Sequence, residues 1–506
     1  MTDLPDIIQP SAGDPLVVEV IVPGPPGPGN SLSIGTVTTG LAGATITGPA
    51  PNQILNLSLP DSGGPNTAAA AEIGAMLAAL VAAEVAIRPS RVLAFANSAY
   101  FQRGTIATAS LPATLDVIGA DFARPSAASC LDETGTLVAM PAGAPRLGHD
   151  PISLAPGGLL LEGARTNALR NSTMRGVVPG IIGAGGAWPT NWQNGGASGL
   201  TRTISGPVVD RGVTCVDVRY QGVATDTGGY PLILESTTAI AASVGQTWTM
   251  SAYLGVVGGS TANITSFRFY MPTYPSGSGG GSSSDLIPAL TPNLQRFSFA
   301  KAFTDAGMSS LQPRFLMNYA SGAAIDVTIR IGAPQLELGA FASSFIPTTM
   351  APATRAADSL TRLRSGLGSM TRVIAARSAA GHGEQVLWQA DDGSEANRLR
   401  LLRDAAGQLR YIVTASGAEQ VKLTLGAVAD STDFTVAVRV AADSFAGCLN
   451  GGSVVAARGG APSVTTERWG GATAAGAEWF GTISADIEFP AALTDAALQA
   501  LSQRAW

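Results

Sequence analysis

From residue 168 to 355 apolar side chains recur at every second position, a period that admits little except half-buried β-strands. Val216, Val218 and Tyr220 share one face, and Trp248, Met250, Ala252, Leu254 and Val256 share another. Phe297, Phe299 and Phe303 repeat the pattern, which Ile325, Val327, Ile329 and Ile331 complete. Successive side chains of a strand point to opposite sides of its sheet, so this spacing buries one face and wets the other. Antiparallel strands stacked as two sheets follow. The period returns in Val386 and Trp388, Leu399 and Leu401, Leu409, Tyr411 and Val413, and Phe434, Val436, Val438 and Val440. Asn450-Gly451 then reads as a two-residue hairpin turn, because both positions accept positive φ. A chain of 506 residues exceeds what one core organises, so more than one such module is expected.

Composition narrows the function classes. Charged residues are 13% of the chain, about half the usual share, and 61 residues are glycine. That balance suits a neutral, loop-rich β protein. A net charge of −6 supplies no basic field for phosphate backbones, so nucleic acid is not expected as a partner. Cys130, Cys215 and Cys448 are far apart, odd in number and without metal-ligand spacing, which favours buried free thiols. The start, Met1-Thr2-Asp3-Leu4-Pro5-Asp6, carries acids where a secretory signal needs positive charge. The longest apolar stretch, Thr67 to Ile87, is mostly alanine and contains Glu72 and Glu84, so no membrane insertion is expected of it.

That stretch reads instead as a helix packed against copies of itself. Asn66 or Thr67 can cap it, Pro89 stops it, and Ile73, Met76, Leu77, Leu80 and Val81 form an apolar stripe. Upstream, Pro23-Gly24-Pro25-Pro26-Gly27-Pro28-Gly29 imposes polyproline II geometry between short β pieces. Two further blocks bracket the first alternating run. Gly158-Leu159-Leu160-Leu161-Glu162-Gly163-Ala164-Arg165-Thr166-Asn167 precedes it. Pro334-Gln335-Leu336-Glu337-Leu338-Gly339, then Ala342-Ser343-Ser344-Phe345-Ile346-Pro347-Thr348-Thr349 and Thr354-Arg355-Ala356-Ala357-Asp358, close it.

Together these blocks resemble the module joints of bacteriophage tail fibres and head spikes, over roughly residues 120–360. The ending, Trp479-Phe480-Gly481-Thr482-Ile483 with Phe489-Pro490 and Ala492-Leu493-Thr494-Asp495, resembles the last strand and closing helix of laminin-G or concanavalin-like jelly rolls. The expected fold is mainly β: tandem antiparallel β-sandwich (jelly-roll) modules with an N-terminal anchoring region and a short Ala-rich oligomerising helix. Its segments are 1–65, a virion-anchoring β and polyproline region; 66–89, the helix; 90–167, a β shoulder or linker; 168–357, a carbohydrate-binding-like jelly roll; and 358–506, a laminin-G/concanavalin-like jelly roll. The resemblance implies a virion fibre or spike that is a homo-oligomer, with a trimer the expected order, bound to a neighbouring head or tail protein and to host surface polysaccharide.

Catalytic chemistry finds little support in the residues. His149 and His382 are the two histidines, and neither sits beside a Ser-centred glycine motif. Asp132 with Glu133, Asp226, and Asp391 with Asp392 are the acids a polysaccharide-cleaving pair would draw on, but neighbouring acids on a strand point apart. No enzyme, no resident metal and no cofactor are expected, with Ca²⁺ at Asp391-Asp392-Gly393 the one exception weighed. Sugar binding asks only for exposed rings flanked by polar groups. Trp188 and Trp192 with amides between them, Asp226 with Tyr230, and Tyr270 with Tyr274 are the candidate glycan contacts. The alternatives are a capsule depolymerase and a decoration protein without a ligand.

Overall fold

The computed structural model describes residues 89–503, apart from 98, 103–104, 108–110, 112–114, 116–117, 196–198, 276–279 and 380–382, together with four strands nearer the N-terminus. In that N-terminal part, Ser31–Thr39 and Asn52–Leu59 pair in parallel and Gly43–Thr47 runs antiparallel beside them. The stripe Ile73, Met76, Leu77, Leu80 and Val81 of the expected helix lies outside the described residues, as does His382.

The chain is mainly β, and its strands build two sandwiches. One lies between Arg165 and Arg355. Its seven-stranded sheet is ordered Gly185–Gly186, Gly180–Ile182, Leu200–Asp210, Val213–Val223, Ala324–Leu338, Thr247–Ser260 and Gln295–Ala302. Its five-stranded sheet is ordered Gln193–Asn194, Gly228–Ile233, Arg314–Tyr319, Ile264–Met271 and Gly281–Ser282. The alternating residues do what their period requires: Val216, Val218, Met250, Leu254, Val327 and Ile329 meet Phe267, Phe269, Phe315 and Met317 across one core. Phe267 and Phe315 stack with ring centres 5.7 Å apart.

The other sandwich is discontinuous in sequence. Arg91–Ala94 and Pro156–Leu161 both pair with Gly481–Phe489, and Ala120–Ala123 pairs with Ser359–Leu363. The segment 90–167, expected as a separate shoulder, therefore supplies strands to the body that 358–506 completes, and the first sandwich is inserted into it. Leu93, Phe95, Leu159 and Leu161 share a core with Trp388, Tyr411, Phe445, Trp469 and Trp479. Gly158 sits at φ +96°, where a Cβ would lie 2.2 Å from the Ile483 carbonyl oxygen, so only glycine lets these strands approach.

Local signals hold at the far end. Asn450 and Gly451 adopt φ of 48° and 71° in the turn after Ser444–Leu449, and Thr494 caps the closing helix Asp495–Ser502 by accepting from Ala497 N. One expected alternation breaks. The register shifts between Val386 and Trp388, so Leu387 and Trp388 both enter the main core while Val386 packs separately with Leu402 and Ile412. An extra residue in one strand changes the face of those beyond it.

The two bracketing blocks meet at the seam between sandwiches. Arg165–Asn167 pairs with Ala353–Arg355, so the chain leaves and returns side by side. Buried Glu162 accepts from Arg146 Nη1 (2.7 Å), Ser344 N (2.8 Å) and Ser344 Oγ (2.6 Å), and lies 2.9 Å from Arg355 Nη1. Asp358 accepts from Arg124 (3.0 Å), Arg146 (2.5 Å) and the Glu162 amide (2.8 Å). Asn167 accepts from the Leu169 and Leu336 amides and donates to the Ile346 carbonyl. Arg165 lies against Phe341 of the inserted sandwich at 4.8 Å and Phe480 of the enclosing one at 4.7 Å. Burial alone would raise the Glu162 pKa, but the Arg355 and Arg146 guanidiniums and the Ser344 bonds outweigh it and hold the carboxyl at about 2, below its ordinary 4.5.

Two outcomes follow. A fragment of residues 358–503 lacks strands from both of its sheets and should show no cooperative melt by near-ultraviolet circular dichroism, whereas residues 89–503 should. Because the folded pKa of Glu162 lies below its unfolded value, its contribution is complete above about pH 4.5 and is lost as pH falls toward 2. Glu162→Gln leaves Arg146 and Arg355 without that charge, so it should lower stability at pH 7 by about 3–5 kcal/mol and flatten the fall of Tm across the acid window; thermal melts of both proteins from pH 7 to 2 check this.

Candidate functional site

In the five-stranded sheet of the inserted sandwich, one side of each strand fills the core and the other is left for solvent or ligand. Phe267, Phe269 and Met271 point inward from one strand and Phe315, Met317 and Tyr319 from its neighbour. Alternation then places Ser266, Arg268 and Tyr270 on the outer side, beside Arg314, Leu316 and Asn318. The register pairs Tyr270 with Arg314, Arg268 with Leu316 and Ser266 with Asn318. Asn318 Nδ2 donates to Ser266 Oγ at 2.8 Å. Leu316 leans toward the next strand, where it fills the space a side chain at Gly229 would need.

Arg314 is the fixed point of this face. Its Nε donates to Gln312 Oε1 at 2.6 Å, and its Nη2 donates both to that oxygen and to the Tyr274 hydroxyl. Gln312 is 2% exposed and is itself anchored, its Nε2 donating to the Glu235 carbonyl at 2.8 Å. Glu235 is buried and takes two bonds from the Arg170 guanidinium, at 3.0 and 2.6 Å. The Tyr270 ring lies 5.9 Å from the Arg314 guanidinium carbon. A buried chain of partners thus presets one half-buried cation beside two aromatic rings.

Of the six candidate glycan contacts, Tyr270 and Tyr274 are brought together here. The two tryptophans are not. Trp192 is 6% exposed and donates its indole N–H to the Asn171 carbonyl at 3.1 Å, so it is a core residue with no free ring face. Asn171 folds this loop inward by donating to the Arg175 and Thr190 carbonyls. Trp188 is half-buried against the same core and donates to Asn194 Oδ1 at 2.8 Å. Tyr230 stands in register with Met317. Asp226 is exposed in the loop before Gly228–Ile233, at the strand end opposite Arg314. Arg314, Gln312 and Arg268 escaped notice in the sequence, although the pattern Arg-Phe-Leu-Met-Asn-Tyr at 314–319 already marks a polar counter-face.

A further concavity lies elsewhere. On the enclosing sandwich, Gly148–Ser153, Ala155–Gly157, Ala375–Arg377, Asp433–Thr435, Thr482 and Ser484 line an open groove of about 850 Å³. Its charges answer one another: Arg377 Nη1 lies 3.8 Å from Asp150 and 3.6 Å from Asp433. Asp150 is held below the ordinary carboxylate range by the Ser153 and Ile152 amides. His149 donates to the Leu131 carbonyl at 3.0 Å. Three of the acids weighed for cleavage are likewise engaged. Asp132 accepts from Thr134 and Thr136 within its own turn, Asp391 is bound by Arg468 and Gln389, and Asp392 by Ser394 and Asn397. Among the described residues no three His, Cys, Asp or Glu side chains gather as a metal site. Cys130, Cys215 and Cys448 are buried and free.

No protein-family model matches the chain, and no curated protein matches it. Among solved structures, the CBM40 module of the Ruminococcus gnavus IT-sialidase bound to α2,6-sialyllactose aligns at 18% identity over 27% of this chain and 84% of that one, with a TM-score of 0.25. Domain 4 of AbnA, a GH43 arabinanase from Geobacillus stearothermophilus in complex with arabinotriose, aligns at 12% identity over 32% of this chain and 82% of that one, with a TM-score of 0.25. The NanB sialidase of Streptococcus pneumoniae aligns at 12% identity over 26% of this chain and 24% of that one, with a TM-score of 0.24. Likenesses this partial leave the ligand to be argued from the residues themselves.

Proposed function

We propose that this chain is a non-catalytic adhesin that binds host surface polysaccharide on the outer face of the five-stranded sheet. The observation that carries the reading is the prearranged Arg314, held by Gln312 and Tyr274 beside the Tyr270 ring. Sugars are recognised by ring faces that meet their C–H groups and by fixed polar groups that meet their hydroxyls. Both are present on one half-buried surface. A site fixed before binding loses less entropy when ligand arrives.

The carrier in this reading is a fibre or spike of a bacteriophage or phage-like particle, assembled as a homotrimer. Support for it comes from the bracketing blocks, whose resemblance to fibre joints falls on the residues that build the seam. Several copies would add weak single sites through effective concentration. A depolymerase would need a proton-donating carboxyl of raised pKa. In the groove of the enclosing sandwich Asp150 and Asp433 flank Arg377, and Asp150 is shifted the other way.

Tyr270→Ala and Arg314→Ala should each weaken capture on an array of bacterial capsule and lipopolysaccharide glycans by about tenfold or more, a loss of one good polar or stacking contact. Tm should stay within a few degrees of the parent. An array that stays blank for the parent protein, or captures unchanged by both substitutions, removes this face from the function; shortening of the captured polymer on incubation removes the non-catalytic reading.

A further inference from the structure

Resting on that reading, we infer that the ligand of this face is an acidic polysaccharide, recognised through sugar carboxylates by Arg268 and Arg314. Both arginines stand on the outer side of the five-stranded sheet, Arg268 on the strand beside Arg314 and two residues from Tyr270. Such diagonal neighbours across an antiparallel pair lie about 7–8 Å apart at the backbone, within the reach of one sugar acid.

Neither has a carboxylate beside it among the described residues. Many arginines that build the fold do: Arg91 and Arg372 bind Glu467 and Asp486, Arg124 and Arg146 bind Asp358, Arg170 binds Glu235, and Arg330 binds Asp210 and Asp217. Arg165 and Arg296 instead take a carbonyl or hydroxyl and a ring, so what marks Arg268 and Arg314 is that they stand side by side on one outward face. Arg268 and Arg314 have no acid partner among the described residues, and 276–279, the stretch beside Tyr274 that is not described, reads Ser-Gly-Ser-Gly. The partners of Arg314 are neutral, Gln312 and Tyr274, and its Nη1 has none among the described residues. Arg268 makes no described hydrogen bond, and its Nε is buried without a partner. Two half-buried cations without a counter-ion are a standing electrostatic cost in a chain whose net charge is −6. A carboxylate relieves it with the fork geometry that guanidinium groups match. A neutral sugar can accept from the remaining N–H groups but brings no counter-charge.

The test uses the full chain on immobilised polygalacturonate, hyaluronan and polysialate, on the carboxyl-reduced form of each, on a ribitol-phosphate teichoic acid and on dextran. The expected result is retention on at least one carboxylated polymer, weakened about tenfold or more by carboxyl reduction, by Arg268→Gln and by 0.5 M salt. If Arg268→Gln fails to fold, the carboxyl-reduced polymers decide the matter without it. Equal retention on reduced polymer or dextran, indifferent to Arg268→Gln, overturns the acidic assignment while leaving polysaccharide binding in place. Preference for the teichoic acid overturns carboxylate recognition in favour of phosphate. Retention on none of these overturns the acidic assignment, and only a blank on the wider bacterial array as well takes the polysaccharide reading down with it.

Discussion

Everything in this molecule hangs from a handful of buried charges where two sandwiches join. Glu162 and Asp358, almost two hundred residues apart in sequence, share Arg146, and Arg124 and Arg355 close the cluster from either side. Burying so many ions is costly unless every one is matched. Here the matching comes from both bodies at once: Ser344 and Arg355 belong to the inserted half, Arg124 and Arg146 to the enclosing half. Separation of the halves would leave unpaired charge on each side, so the joint is held electrostatically.

The enclosing sandwich repeats the device in its own interior. Arg372 lies 4.7 Å from the Trp388 ring and 5.0 Å from the Trp469 ring. It bonds Glu467 and Asp486, while Arg91 reaches the same two acids from the strand contributed by the earlier segment. Trp469 donates its indole N–H to Asp486 at 2.7 Å. The pairing of a distant N-terminal strand with the last strand of the chain is thereby sealed by charge as well as by Leu93 and Phe95. Burial raises the carboxyl pKa values in such surroundings, and the guanidiniums bring Glu467 and Asp486 back down below the ordinary range.

Much of the architecture was legible in the sequence because period-two alternation is a local signal. The strands around Val218, Met250 and Val327 could be read directly, and so could the Asn450-Gly451 turn. The insertion could not. Arg91–Ala94, Ala120–Ala123 and Pro156–Leu161 are short, and the strands that join them to the C-terminal part lie more than two hundred residues away, a relation no local window contains. The bulge at Leu387 hid in the same way, since one extra residue leaves composition untouched while turning a face. Trp192 shows a further limit: a loop tryptophan between amides looks alike whether Asn171 folds it inward or leaves it out. The outward place of Arg314 was readable from its strand pattern, but its fixing comes from Gln312 and Glu235, whose convergence is tertiary.

Arg165 and Arg355 sit opposite one another where the inserted body leaves its host and comes back. Two termini that close together are the geometry of an interchangeable cassette. A different body with the same narrow base could be exchanged through recombination at the flanking blocks, and the host sandwich, with its own core and its own sealed charges, would not have to change shape. The seam residues would then be the part kept constant across variants, and the outward sheet the part free to diversify.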